Sequence, residues 1–195
     1  MPITAPDIKE YLETRSDFDL ELFVCRALRE RGYITAHGGT YIDPVKGIPR
    51  QFDVRAHAQI HQLFGIELAV ECKSLSVDAP LLVSRVPRTD TEAFHELVHS
   101  WPRNNQRGAY ARSIRQQGDR DFYRPERPVG KRTAQVRKNA NGTGFKDDDR
   151  DPYEKWSQAL ASAGDLVNHA ANAGAGAVPH FYSFIVPVLV VSDGI

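Results

Sequence analysis

The segment Ile66-Glu67-Leu68-Ala69-Val70-Glu71-Cys72-Lys73 carries the strongest structural signal in the chain. It is apolar at nearly every position until Glu71. Such runs are typical of a central strand that is covered on both faces. Because side chains alternate across a strand, Glu71 and Lys73 share one face. The segment therefore predicts a buried strand that ends in a charged pair.

The sequence around this strand predicts the order helix, strand, strand, strand, insertion, helix, strand. The first helix is predicted over about residues 17–31, and a hairpin over 33–42 and 50–56 precedes the buried strand. A second helix over about 151–173 and a strand over 181–191 follow. These boundaries come from hydrophobic periodicity and from capping, glycine and proline signals. The order predicts an α/β (α+β) fold, with a mixed central sheet flanked by helices.

The stretch between the buried strand and the second helix has a weaker signal. Residues 76–150 are rich in proline, arginine and polar side chains and show no sustained periodicity. Short helices are predicted over 91–101, 106–117 and 131–138. The interpretation is a single domain over 1–195 with a basic, partly irregular insertion at about 76–150, since long irregular stretches are usually functional or disordered.

Composition is ordinary for a globular protein, with 41% hydrophobic and 26% charged residues among 195. No apolar run reaches the roughly 20 residues that a membrane span needs. The first residues have neither a basic start nor an apolar stretch, unlike a secretory signal. Cys25 and Cys72 both lie in apolar segments, as buried thiols in a reducing compartment do. The expected location is cytoplasmic.

Three acidic residues and one lysine are predicted to form a site. Asp53 lies on the opposite face of its strand from its apolar neighbours, and Glu21 falls within the apolar arc of the first helix. If that helix packs over the face that carries Glu71 and Lys73, three carboxylates meet beside one ammonium. Three such carboxylates repel each other unless a divalent cation neutralises them, and Mg²⁺ takes oxygen ligands. Each residue also has a purely structural explanation. Glu21 could be an acid at the edge of the core, Asp53 a surface acid, and Glu71 with Lys73 an ion pair on one face of the strand.

These residues, in this order, resemble the PD-(D/E)XK, or restriction-endonuclease-like, nuclease superfamily. Its members have an acid on a first helix, an Asp on a hairpin strand and an acid-x-Lys at the end of the next strand. The resemblance implies that Asp53 and Glu71 bind Mg²⁺ or Mn²⁺, with the Cys72 backbone carbonyl as a further ligand. It also implies that Lys73 is the catalytic lysine and Glu21 an accessory acid. The expected function is a Mg²⁺-dependent endonuclease that hydrolyses phosphodiester bonds in DNA.

A basic segment is the predicted contact for nucleic acid. Between residues 101 and 138 the chain has eleven Lys and Arg but only three Asp and Glu. Such an excess can dock a polyanion. The predicted contacts are the basic residues Arg103, Arg107, Arg112, Arg115, Lys131, Arg132, Arg137 and Lys138. RNA stays open as a substrate, and cleavage of both DNA strands by one site per chain would favour a homodimer.

Two other functions are compatible with the sequence. The first is a non-catalytic nucleic-acid or protein-binding module on the same fold. The second is a zinc hydrolase, because residues 95–99 match the H-E-x-x-H pattern through His95, Glu96 and His99. That chemistry needs both histidines on one helical face and a third ligand, for which Glu126 and His169 are the candidates. Pro102 would end such a helix soon after His99.

Overall fold

The computed structural model describes residues 2–15, 17–76, 78–89, 96–103, 106–112, 127–148, 150–172 and 181–192. The described helices and strands are α1 (Ala5–Arg15), α2 (Phe18–Arg29), β1 (Ile34–Ile42), β2 (Pro49–His61), β3 (Phe64–Ser74), β4 (Leu81–Pro87), β5 (Glu96–Arg103), β6 (Gln106–Arg112), β7 (Pro128–Lys138), β8 (Phe145–Asp148), α3 (Arg150–Asn172) and β9 (Phe181–Ser192). The predicted mixed α/β class is confirmed.

Six of the described strands form one mixed sheet in the order β1-β2-β3-β9-β5-β6. Strands β1, β2 and β3 form an antiparallel meander, and β3 pairs in parallel with β9. Strands β5 and β6 continue the sheet beyond β9 in antiparallel pairing. Strand β3 therefore has a neighbour on each side, which confirms the prediction of a central strand.

The two longer helices cover opposite faces of this sheet. The α2 face is a cluster of buried apolar residues, namely Val24, Cys25, Val54, Val70 and Cys72. The α3 face is a second buried cluster, made of Ala69, Val98, Ala163, Leu166, Ala170 and Ile185. Because Ala69 and Val70 are neighbours on β3, their side chains point to opposite faces. Arg55 lies directly across from Ala69, and residues 53 and 71 are each two positions along their strands. All three therefore point to the same face as Ala69, which is the face that α3 covers.

The predicted short helices over 91–101, 106–117 and 131–138 are wrong wherever the structure describes them. Those parts are the strands β5, β6 and β7. Strand β5 is held by pairing with β9, about eighty residues further along the chain. Such a pairing leaves no local periodic signal, so it is invisible to sequence windows. Strands β4, β7 and β8 form a separate antiparallel sheet, the small sheet.

Among the described segments, no helix is both long enough and apolar enough to cross a membrane.

A half-buried charge network fastens α3 to the meander. The Arg55 guanidinium lies 2.8 Å from the Asp165 carboxylate, and its Nε donates to the Ser162 hydroxyl at 3.1 Å. The same guanidinium stacks 4.4 Å from the centre of the Phe52 ring and 5.1 Å from that of Tyr41. Arg55 therefore contacts both the sheet and α3.

Replacement of Arg55 by alanine should lower the free energy of unfolding by about 3–5 kcal/mol, because Asp165 would be left without its cation. The side chains of Arg55 and Asp165 are only 14% and 13% exposed. The control is Arg132→Ala, since Arg132 and Asp147 lie 3.9 Å apart and are 69% and 70% exposed. That variant should lose less than about 1 kcal/mol. Urea denaturation measures both, and equal losses would contradict this account.

Candidate functional site

Asp53 and Glu71 lie across from each other on β2 and β3. The pairing of Val54 with Val70 puts them at the next position of the ladder, on the α3 face. The Asp53 carboxylate accepts a hydrogen bond from the Cys72 backbone N–H at 2.8 Å. The structure therefore brings together two of the predicted carboxylates, beside the backbone of Cys72.

Lys155, near the start of α3, contacts both carboxylates. Its ammonium lies 2.7 Å from Asp53 Oδ2 and 3.5 Å from Glu71 Oε2. Lys155 is not among the residues predicted from the sequence to form the site. The signal was present, because Lys155 lies on the same helical stripe as Ala159 and Ser162, both fully buried. A lysine on the buried stripe of a helix needs an anionic partner on the sheet.

Glu71 is the most strongly perturbed acid of this group. Its side chain is 0% exposed, and its Oε1 has no hydrogen-bond partner in the described part of the chain. Burial, followed by the negative charge of Asp53, raises the pKa of Glu71 to about 8, although Lys155 opposes this shift. For Lys155, burial acts to lower the pKa. The hydrogen bond to Asp53 and the two nearby carboxylates outweigh burial and raise it above its ordinary value.

Lys73 lies at the border of this group and pairs with Asp17, the residue just before α2. Its ammonium is 3.6 Å from Asp17 Oδ2, and Asp17 Oδ1 accepts a hydrogen bond from the Ser74 N–H at 2.6 Å. The charge of Asp17 also acts on Lys155. The acid that α2 brings to the border of the site is therefore Asp17 and not Glu21.

Glu21 lies on the other face of the sheet. Its carboxylate is 2.6 Å from Nε2 of His37, which pairs with Val54 and so faces α2. Glu21, Asp53 and Glu71 were expected to meet if α2 covered the sheet face that carries Glu71. Helix α2 packs instead on the opposite face, which carries Val54 and Val70. In the described segments no group of three His, Cys, Asp or Glu residues could hold a metal ion.

The H-E-x-x-H segment does not form a helix where it is described. Glu96 and His99 lie on strand β5, and His95 lies outside the described residues, as does Glu126. The His99 ring stacks on Tyr182 with centroids 4.4 Å apart. His169 lies 3.5 Å from Asp165 on α3. The helical arrangement that a zinc hydrolase needs is thus missing from residues 96–103.

The predicted nucleic-acid contacts fall on three strands. Arg103 belongs to β5, and Arg107 and Arg112 belong to β6. Four others, namely Lys131, Arg132, Arg137 and Lys138, belong to β7 on the small sheet. Arg115 lies outside the described residues.

No protein-family model, curated protein or solved structure matches the chain. A function can therefore be inferred only from the residues of the site. The site offers two facing carboxylates, an acid oxygen without a donor in the described residues, and two lysines. Such a set can share a proton or hold a small hard cation.

The metal-free protein should lose stability as the pH rises from about 5 to 8. Glu71 has an ordinary pKa of 4.5 and a folded pKa of about 8, so the unfolded chain ionises first. Below pH 4.5 Glu71 is protonated in both states, and the free energy of unfolding is at its full value. This free energy then falls as the pH rises, and the fall ends once the pH has passed 8 and Glu71 is ionised in both states. Among the described residues, Asp53 and Lys155 act on the pKa of Glu71, and the charge of Glu71 acts in turn on Tyr41 and Cys72.

Urea denaturation in EDTA across this pH range measures the effect, which should reach a few kcal/mol. Glu71→Gln should remove most of the decline with pH. Glu154→Gln, an exposed change on α3, should keep it. An unchanged decline in Glu71→Gln would show that Glu71 is not its source.

Proposed function

We propose that this protein is a Mg²⁺-dependent (or Mn²⁺-dependent) nuclease that hydrolyses phosphodiester bonds in DNA. The observation that carries the proposal is the facing pair of Asp53 and Glu71 at the end of β3, with the unpartnered Oε1 of Glu71 among the described residues. A buried carboxylate oxygen without a partner is costly. A bound cation would remove that cost, which supports a metal at this position.

The residues that would hold the cation are Asp53, Glu71 and the backbone carbonyl of Cys72. All three supply oxygen ligands, which Mg²⁺ prefers, and two carboxylates are a common protein share of its coordination. Glu21 is left out of this set because it pairs with His37 on the other face. When bound, the metal would polarise a phosphoryl oxygen and lower the pKa of an attacking water.

Lys155 and Lys73 supply the positive charge that this chain itself brings to the reaction. Lys155 bridges the two carboxylates, so a cation that binds there would compete with its ammonium. Released from the pair, the ammonium would be free to bind a non-bridging phosphate oxygen. Lys73, held by Asp17, would stabilise charge that develops on the same phosphate.

The arrangement of elements supports the resemblance to the PD-(D/E)XK superfamily. Helix α2 is followed by the meander β1–β2–β3, and α3 leads into β9, which is parallel to β3. The basic segment supports a polyanionic substrate, for which DNA is the proposal and RNA the alternative. A homodimer would supply one site for each DNA strand.

A non-catalytic binding module is the second candidate, and one observation favours it. Lys155 balances the charge of Asp53, and burial favours the protonated form of Glu71, so Asp53, Lys155 and Glu71 can form a group that needs no metal. Such a group can be retained for structure alone. The two candidates differ in whether the pair binds a divalent cation.

Incubation of supercoiled plasmid with Mg²⁺ or Mn²⁺ should give nicked and linear products with the wild-type protein. Asp53→Asn and Glu71→Gln should each slow cleavage at least about a hundredfold, since each removes a proposed metal ligand. Lys155→Ala should also slow it, and Glu154→Gln on the exposed side of α3 should match the wild type.

Equal cleavage by the wild type and both carboxylate variants would rule out the proposed site. Absence of cleavage by every protein, with folding checked by circular dichroism, would favour the binding module.

A further inference from the structure

A cavity of about 520 Å³ opens on the small sheet. Its lining residues combine one apolar surface with charge of both signs, and they are Asp78, Pro80, Val136, Arg137, Lys138 and Phe145. Lys138 pairs with Phe145 across β7 and β8, so these two side chains share one face of the sheet with Val136. The volume lies in the range of about 300–1,000 Å³ that is usual for small-ligand sites.

Hydrogen bonds to β7 fix the wall of this cavity. The Val136 N–H donates to the Pro80 carbonyl at 3.1 Å, and the buried Gln135 amide donates to the Ala79 carbonyl at 3.3 Å. The Ala79 N–H closes a turn on the Ser76 carbonyl at 2.8 Å. Backbone hydrogen bonding thus ties Pro80 to Val136 in the wall of the cavity.

The side chains in the cavity match the parts of a nucleotide. Phe145 is 73% exposed and, with Pro80 and Val136, offers apolar surface on which a base can stack. Lys138, on the same sheet face as Phe145, takes part in no ion pair within the described residues, so its ammonium remains available to a phosphate. Asp78 adds a hydrogen-bond acceptor that suits the amino group of a base.

The cavity also lies near Lys73 along the chain, and Lys73 borders the carboxylate pair. Asp78 follows Lys73 by five residues, so their Cα atoms are at most about 18 Å apart. A few nucleotides of extended backbone can cover such a distance. A strand held in the cavity would therefore have a phosphate within reach of the site at the end of β3.

We propose that this cavity binds one unpaired nucleotide of the substrate, with the base on Phe145 and the phosphate on Lys138. The inference rests on the proposed nuclease function and narrows its substrate to nucleic acid with a single-stranded segment. A base in a duplex is stacked between its neighbours, so Phe145 would have no free base to receive.

Fluorescence anisotropy in EDTA tests the cavity separately from cleavage. The probes are a fluorescein-labelled oligodeoxyadenylate and a labelled duplex of the same length. Phe145→Ala should weaken single-strand binding about tenfold through the loss of one stacked base, and should change duplex binding little. Lys138→Ala should weaken binding and reduce the slope of log affinity against log salt by about 0.7.

The matched control is Lys146→Ala. Lys146 is an exposed lysine on the same small sheet, but it pairs with Arg137 and does not line the cavity. It should bind the single strand like the wild type. Wild-type affinity in Phe145→Ala and Lys138→Ala would overturn the proposal, as would an equal loss in Lys146→Ala. Adenosine monophosphate that competes as tightly as the oligonucleotide would overturn the strand-binding part.

The two proposals fail in different ways. If Phe145→Ala weakens single-strand binding while the wild type cleaves nothing, the cavity stands and the nuclease function fails. If cleavage depends on Asp53 while Phe145→Ala binds like the wild type, the nuclease function stands and the cavity proposal fails.

Discussion

The contact of Lys155 with Asp53 and Glu71 joins α3 to β2 and β3 at the candidate site. Two facing carboxylates at the end of a central strand repel each other, and burial increases that cost. The Lys155 ammonium, 2.7 Å from Asp53, compensates for it and fastens the start of α3 to β2 and β3. Ten residues along the helix, Asp165 binds Arg55 of β2. Both contacts fix α3 over the sheet face that carries the site.

The same contact decides what the site can do. An ammonium between two carboxylates occupies a position that a divalent cation would also favour, so the lysine and a bound metal would compete. Lys155 does not satisfy the pair fully, because Glu71 Oε1 remains without a hydrogen-bond donor in the described residues. This oxygen is the reason for proposing a metal site at the carboxylate pair.

The sequence was most informative where the signal was local. The apolar run before Glu71 identified the central strand, and alternation put Glu71 opposite Asp53 once β2 and β3 had paired. Helical periodicity found the apolar arc around Glu21 but could not tell which sheet face the helix would cover. The strand pairing of β5 with β9 was missed because it depends on distant residues. Lys155 was missed because the carboxylates that stabilise its buried ammonium lie on β2 and β3, far away in the sequence.

Anomalous diffraction from crystals soaked in Mn²⁺ tests the central claim most directly. We expect a strong anomalous peak about 2 Å from carboxylate oxygens of both Asp53 and Glu71. We also expect that the Lys155 ammonium will have left its 2.7 Å contact with Asp53. The absence of a peak there at saturating Mn²⁺, with Lys155 still bridging the two carboxylates, would contradict the account.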